Sequence, residues 1–289
     1  MTNLDLWGVP YIKNKVVNAI PYMGNKRKLA TKIINAIYQK IGDFDDFYDL
    51  FGGGASMSVA TLSAGHNVHY NELNTGVCNL LRHIKAGGEI PNKWVSREEF
   101  KKHINNDDWY GGLIKTCWSF GNDQASYLFG QDIEELKHQA HEYLLENGYD
   151  WTVETRIKLL AEFKTQKKII GRFQLQQLQQ LEQLQQLEQL QRLEITNKSY
   201  NDVEYKNDNT VLYCDIPYNE TKSYQESEFS HEDFYKWALA QNVPVFISEY
   251  NMPNDFKCIS EFIHRSTLSA SANNEVVEKL FWNGKRGKK

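Results

Sequence analysis

Four short segments of this 289-residue chain carry residue types at spacings that could do chemistry. Asp49-Leu50-Phe51 runs into Gly52-Gly53-Gly54. Glycines between a strand and a helix let backbone approach a ligand closely, because no Cβ intervenes. Position 57 is Met, so the full GxGxxG fingerprint is absent. Twenty residues past Gly52 stands Glu72, in the right place to accept the hydroxyl protons of a ribose. Together these two features point to a cofactor that contains a nucleoside. The third segment is Asp215-Ile216-Pro217-Tyr218, directly after the apolar run Val211 to Cys214. Its carboxylate and the next backbone carbonyl can accept hydrogen bonds from an exocyclic amine, its proline fixes the turn, and its aromatic ring offers a stacking face for a planar base. The fourth is Pro21-Tyr22-Met23-Gly24-Asn25-Lys26-Arg27-Lys28, which sets three cations before an amphipathic stretch. Cations at a helix N-terminus oppose its dipole, so they call for an anionic partner.

The elements that must hold these segments alternate. Phe47 to Phe51 reads as a strand, Ala55 to Ala64 as a helix of small residues, Asn67 to Asn71 as a strand and Thr75 to Ala86 as a helix. That order predicts parallel strands joined by right-handed crossovers. Lys26 to Lys40 reads as an amphipathic helix with Leu29, Ile33, Ile34 and Ile37 on one face. The rhythm resumes late in the chain, with a strand at Val211 to Cys214, a helix at His231 to Gln241 and a strand at Val243 to Ser248. Two last strands follow, Phe256 to His264 and Val276 to Trp282, joined by the loop Ser266 to Asn274.

Between these halves, residues 96–199 read as a mostly helical insertion containing Trp109, Trp118, Phe120, Tyr127 and Phe129. Inside it, residues 174–194 repeat leucine at every third position, from Leu175 to Leu193. At about 100° per residue each leucine falls about 60° behind the last, so an α-helix would turn some of them to solvent. A coiled-coil seam would not hold them, and a three-residue turn would align them only over a short piece. The expectation is a helix with imperfect burial.

Composition narrows the classes. Hydrophobic residues make up 41% and charged residues 24%, which supports a packed core. The mean hydropathy of −0.60 and the lack of any apolar run near 20 residues argue against a membrane span. Met1 to Pro10 shows no basic stretch followed by an apolar one, so no secretory signal is expected. Cys78, Cys117, Cys214 and Cys258 are scattered without a CxxC pair, which argues against a disulfide framework or a cysteine zinc site and fits a reducing cytoplasm. No other cluster has metal-ligand spacing, so no metal is expected. The net charge of −4 counts mildly against an electrostatic nucleic-acid binder.

In combination, PYMGNK, DLFGGGAS, NEL and DIPY, in that order, resemble the D12 class of DNA N6-adenine methyltransferases, the relatives of the Dam and phage adenine methylases. FISEYN and VVEKLFWN resemble that family's last sheet elements, and the likeness runs from about Pro21 to Asn283. The resemblance implies an α/β fold: a Rossmann-like class I methyltransferase sheet with a mostly helical inserted recognition domain. Residues 1–95 would form the half that binds S-adenosylmethionine, residues 96–199 the target-recognition insertion and residues 200–289 the catalytic half.

The resemblance also implies roles. Tyr22 and Lys26 would touch S-adenosylmethionine, Lys26 at its carboxylate. Phe51, Gly52 and Gly54 would lie beside the methionine moiety, and Glu72 would hold the ribose hydroxyls. Asp215, Pro217 and Tyr218 would be catalytic, with Asp215 also beside the cofactor. Ile216 departs from the family's first proline and supplies the same backbone carbonyl without the fixed φ. The implied reaction is site-specific methylation of a flipped-out adenine in double-stranded DNA by a cytoplasmic, bacterial or phage-encoded monomer without membrane attachment.

Arg97, Lys101, Lys102, Lys164, Lys167, Lys168, Arg172 and the tail Lys285 to Lys289 are candidate DNA contacts, while Trp109, Trp118 and Tyr127 read as core. Ser119 to Asn122 resembles a loop facing the active site. Three other readings stay open at this point: a DNA-binding relative that has lost catalysis, a methyltransferase acting on RNA or a protein amide, and a nicotinamide-dependent dehydrogenase.

Overall fold

The computed structural model describes residues 3–5, 8–146, 181–206, 208–217, 229–265 and 275–286. The chain divides into two compact units: Met1–Val17, Lys26–Leu73 and Gln189–Lys289 form one, and Asn18–Asn25 with Asn74–Glu188 the other.

The first unit opens with a short antiparallel pair, β1 (Asn3–Leu4) and β2 (Pro10–Tyr11). Its main sheet has seven strands: β3 (Asp46–Asp49), β4 (Asn67–Asn71), β5 (Glu194–Thr196), β6 (Thr210–Asp215), β7 (Val245–Glu249), β8 (Lys257–Arg265) and β9 (Glu275–Trp282). Their spatial order is β5-β4-β3-β6-β7-β9-β8. The first five in that order are parallel, and β9 runs antiparallel to both β7 and β8. The helices of this unit are α1 (Ala30–Ile41), α2 (Ser56–Ala64) and, late in the chain, α7 (His231–Ala240).

The central strands are buried on both sides, as parallel strands covered by helices must be. Side chains alternate between the faces of a strand, so each strand serves two cores. On one face Tyr48, Leu212, Cys214, Val245, Ile247 and Phe281 pack against Phe234 and Ala238 of α7. The other face carries Phe47 stacked on Tyr213 at 5.9 Å, and that face continues through Asp49, Asp215, Ser248 and Glu278 by the same alternation. The α2 helix is buried nearly all round, which its Ser, Ala and Thr residues permit.

The second unit has α3 (Thr75–Lys85), α4 (Arg97–His103), α5 (Trp109–Cys117) and α6 (Glu134–Glu146), so its described part is helical as expected. Asn74, Ser96 and Asp108 cap α3, α4 and α5 by accepting N–H bonds from Val77, Glu99 and Gly111. The α3 and α5 helices cross closely: a Cβ on Gly112 would lie 2.0 Å from the Gly76 carbonyl oxygen. Trp94, Trp118 and Phe129 form the aromatic core of this unit.

The units divide at Leu73/Asn74 and Glu188/Gln189. The reason is packing: α3 belongs with α5 through Gly76 and Gly112, and β5 pairs with β4 in the main sheet, although three residues are too few to read as a strand. The helix expected from Lys26 begins at Ala30; Lys26 precedes it, and its carbonyl accepts the N–H groups of Leu29 and Ala30. In the leucine repeat, residues 174–180 lie outside the described residues. Residues 181–185 are helical and Glu188–Arg192 is a 3-10 turn; Leu181, Leu184, Leu190 and Leu193 are buried and Leu187 is partly exposed. The 3-10 segment keeps Leu190 and Leu193 aligned, because three residues complete its turn.

Candidate active site

The carboxyl ends of β3, β4 and β6 carry Asp49, Glu72 and Asp215. Between β3 and β6 the strand order reverses: the chain leaves β3 toward β4 and β5, then returns to the other flank at β6. Ligands of open α/β sheets bind at such a switch point, outside the carboxyl ends of the strands.

After β3 the chain turns through Phe51 to Ala55 into α2. Gly52 N–H donates to the Asn71 carbonyl at 2.8 Å, and Gly53 N–H donates to Glu72 Oε2 at 2.8 Å. Gly52 has a steric reason to be glycine: a Cβ there would lie 2.2 Å from Tyr70 Cε2. The Tyr70 hydroxyl donates to the Gly53 carbonyl at 2.8 Å. Gly53 has φ 45° and Ala55 φ 64°, both left-handed, so the turn is tight and strained at its last non-glycine residue. The Ser56 hydroxyl that begins α2 is buried and has no hydrogen-bond partner among the described residues.

Asn71 ties this turn down, and the sequence reading missed it. Its Nδ2 donates to the carbonyls of Leu50 and Lys198, while its Oδ1 accepts from Lys198 N–H and the Thr196 hydroxyl. Asp49 was missed too. Its Oδ2 accepts from Ser58 N–H at 3.1 Å and Ser58 Oγ at 2.7 Å. Burial raises its pKa, Ser58 opposes the rise, and the neighbouring charges of Asp215 and Glu72 add to it, so Asp49 is pushed up to about 7.

Asp215 ends β6, paired in register with Ser248 of β7. Lys26 Nζ lies 2.8 Å from Asp215 Oδ1 and 3.1 Å from Glu278 Oε1. Burial alone would lower the pKa of Lys26, but the two carboxylates outweigh burial and raise it, so it remains an ammonium. The anion that the N-terminal cations call for is therefore supplied, for Lys26, by the protein itself. Ile216 is 2% exposed and packs in the α7 core, so its side chain has a structural use that proline would not fill as well. The Pro217 carbonyl accepts from His231 Nε2 at 2.8 Å, which fixes the tautomer that carries hydrogen on Nε2. A lone histidine opening a helix carried no signal of this in the sequence. Tyr218 lies outside the described residues.

Phe51 joins an aromatic cluster, stacked on Tyr200 at 5.4 Å with its edges toward Phe229 and Phe234. Lys26, Phe51, Gly52, Gly54, Glu72, Asp215 and Pro217 thus belong to one unit. Tyr22 belongs to the other, where its carbonyl accepts from Asn25 N–H and Asn25 Nδ2 around Gly24.

Among the candidate DNA contacts, Arg97 is engaged within its own unit, donating to Glu134 and the Phe129 carbonyl and lying over the Tyr127 ring. Lys101, Lys102, Lys285 and Arg286 are exposed. Lys164, Lys167, Lys168, Arg172 and residues 287–289 lie outside the described residues. Trp118 and Tyr127 are buried, while Trp109 is half-buried and stacks on His83 at 3.9 Å. The loop Ser119 to Asn122 is a 3-10 turn that exposes Phe120.

The model of the D12 class N6 adenine-specific DNA methyltransferases matches residues 22–239, about three quarters of the chain. The chain belongs to that family. As a member of the D12 class, it is an enzyme whose family methylates the N6 of adenine in DNA. No curated protein matches the chain. Among solved structures, the "putative methylase HI0767" of Haemophilus influenzae is similar over 92% of this chain and 98% of its own, at 11% identity and a TM-score of 0.32. No described helix is long and apolar enough to cross a membrane.

Proposed function

We propose that this D12 methyltransferase transfers a methyl group from S-adenosylmethionine to the N6 of a flipped-out adenine at specific sites in double-stranded DNA. The observation that carries this reading is the position of Asp215, at the carboxyl end of β6 and next to the strand that ends in the glycine turn.

The residues present fit such a methyl donor. The buried Ser56 hydroxyl without a partner among the described residues, and the Gly53 amide beside Glu72, are polar groups suited to a nucleoside and amino-acid ligand. The carboxylates of Glu72 and Asp215 lie on the same sheet edge and favour a ligand that carries positive charge. Glu72 would hold the ribose hydroxyls, and Phe51, Gly52 and Gly54 would flank the methionine moiety. Tyr22 is proposed to contact the cofactor. Lys26 would share its ammonium between Asp215 and the cofactor carboxylate. Bound there, the cofactor supplies an activated methyl group on a sulfonium.

The chain's own residues would do the rest. Asp215 and the Ile216 carbonyl would accept the two N–H bonds of the adenine amine, which turns the N6 lone pair toward the methyl group, and the proton that N6 sheds on transfer would leave along its hydrogen bond to Asp215 while the cofactor departs as the neutral thioether. Tyr218 would stack on the extruded base, and Pro217 would fix the turn after Asp215. Fixing both reactants in line supplies up to about 7–11 kcal/mol of barrier lowering. The reading carries a cytoplasmic, bacterial or phage-encoded monomer in which residues 96–199 recognise the target.

The test is Asp215→Ala assayed for transfer of a tritiated methyl group to duplex DNA, RNA and protein. We expect loss of transfer to DNA with the fold retained. Undiminished methylation by that variant refutes the assignment, and transfer to RNA or protein in preference to DNA refutes the substrate.

A further inference from the structure

An acceptor that holds an amine works best as a full anion, because a hydrogen bond to an ionised group is roughly twice as strong as one between neutral groups. Lys26 works against this in Asp215: an ammonium 2.8 Å from Oδ1 compensates the carboxylate that must hold N6. Glu278 changes that balance. It is the second carboxylate on the same ammonium, 3.1 Å away. Alternation along β9 puts Glu278 on the same face as Leu280, and Leu280 pairs with Ser248, which in turn pairs with Asp215. The charges are graded in depth: the side chains of Lys26 and Glu278 are each 4% exposed, and that of Asp215 is 21% exposed. One buried cation thus serves two anions, and the more open anion is Asp215.

Burying a carboxylate on a strand is costly unless it is paired, and Lys26 already had Asp215 as a partner. A glutamate at 278 is therefore not needed to satisfy the lysine. Its effect is to leave the trio with one surplus negative charge. We propose that Glu278 is a positioning residue for methyl transfer: by sharing Lys26 it leaves Asp215 the negative charge with which Asp215 holds the adenine amine. The proposal rests on the reading of Asp215 given above.

Glu278→Gln tests it, because the amide oxygen still accepts from Lys26 while the charge is gone. The expected result is a fall in kcat of about 10-fold, equivalent to about 1.4 kcal/mol. The affinity for S-adenosylhomocysteine by calorimetry and the melting temperature should stay close to wild type. A second variant, Glu278→Asp, keeps the negative charge, and its kcat should exceed that of Glu278→Gln. A wild-type kcat in Glu278→Gln, or a Glu278→Asp no faster than Glu278→Gln, overturns the proposal. Asp215→Ala is run alongside. If it is inactive while Glu278→Gln is unimpaired, the inference about Glu278 fails alone; if Asp215→Ala is active, the reading of Asp215 fails and the inference with it.

Discussion

Gly52→Ala probes the turn on which the cofactor site is built. The new Cβ would lie 2.2 Å from Tyr70 Cε2, 2.4 Å from Cδ2 and 3.0 Å from Cζ. Carbon atoms pack at about 3.5–4.0 Å, so the ring has to move by more than 1 Å. Tyr70 is fully buried in β4 and its hydroxyl is held by the Gly53 carbonyl, so the ring has no open space to enter. Overpacking a close-fitted core costs about 1–3 kcal/mol, and losing the tyrosine hydrogen bond adds about 1 kcal/mol. The total of about 2–4 kcal/mol corresponds to a fall in melting temperature of about 3–7 °C for a chain of this size. The damage reaches the ligand side as well, because Gly52 N–H is bonded to the Asn71 carbonyl and the next amide to Glu72. Thermal melts and calorimetry with S-adenosylhomocysteine measure the two effects separately. If Gly52→Ala melts within about 1 °C of wild type and binds the ligand with unchanged affinity, the steric reasoning is refuted.

Three further outcomes are expected. Asp49 is raised in the fold to about 7 from the ordinary aspartate value of 3.8, so the stability it contributes is fully present below about pH 4 and is lost as pH rises through about 7. Asp49→Asn, neutral throughout, should therefore melt higher than wild type at pH 8, by on the order of 4 kcal/mol, and close to it at pH 4; parallel melting profiles from pH 4 to 8 would count against this. Asn71→Asp replaces two donors with acceptors opposite the carbonyls of Leu50 and Lys198 and should cost about 2–4 kcal/mol in urea unfolding, a prediction that fails if the midpoint is unmoved. His231→Ala should lower kcat more than it raises KM for DNA, and His231→Gln, whose amide N–H can reach the Pro217 carbonyl, should recover part of the loss; equal kcat in all three proteins would remove His231 from the account.

Local pattern determined a good deal about this protein. The β4 strand and the body of α2 were legible because apolar alternation and small helix formers end at Gly65 and at the NEL corner, where only a turn satisfies the backbone. Gly52, Glu72 and Asp215 were legible as candidates because each follows a buried run, so each had to stand at a strand end. What the pattern could not decide was which strand end stood beside which. The β3 and β6 strands are neighbours with about 160 residues between them, and their register depends on the packing of both sheet faces rather than on anything in either segment. The same holds for Lys26. Its charge and its place before a helix were visible, but its partners come from β6 and β9, both far along the chain. The assignments of Asn71, Glu278 and His231 likewise arise only when distant backbone is brought within hydrogen-bonding distance, where burial makes an unpaired polar group too costly to leave alone.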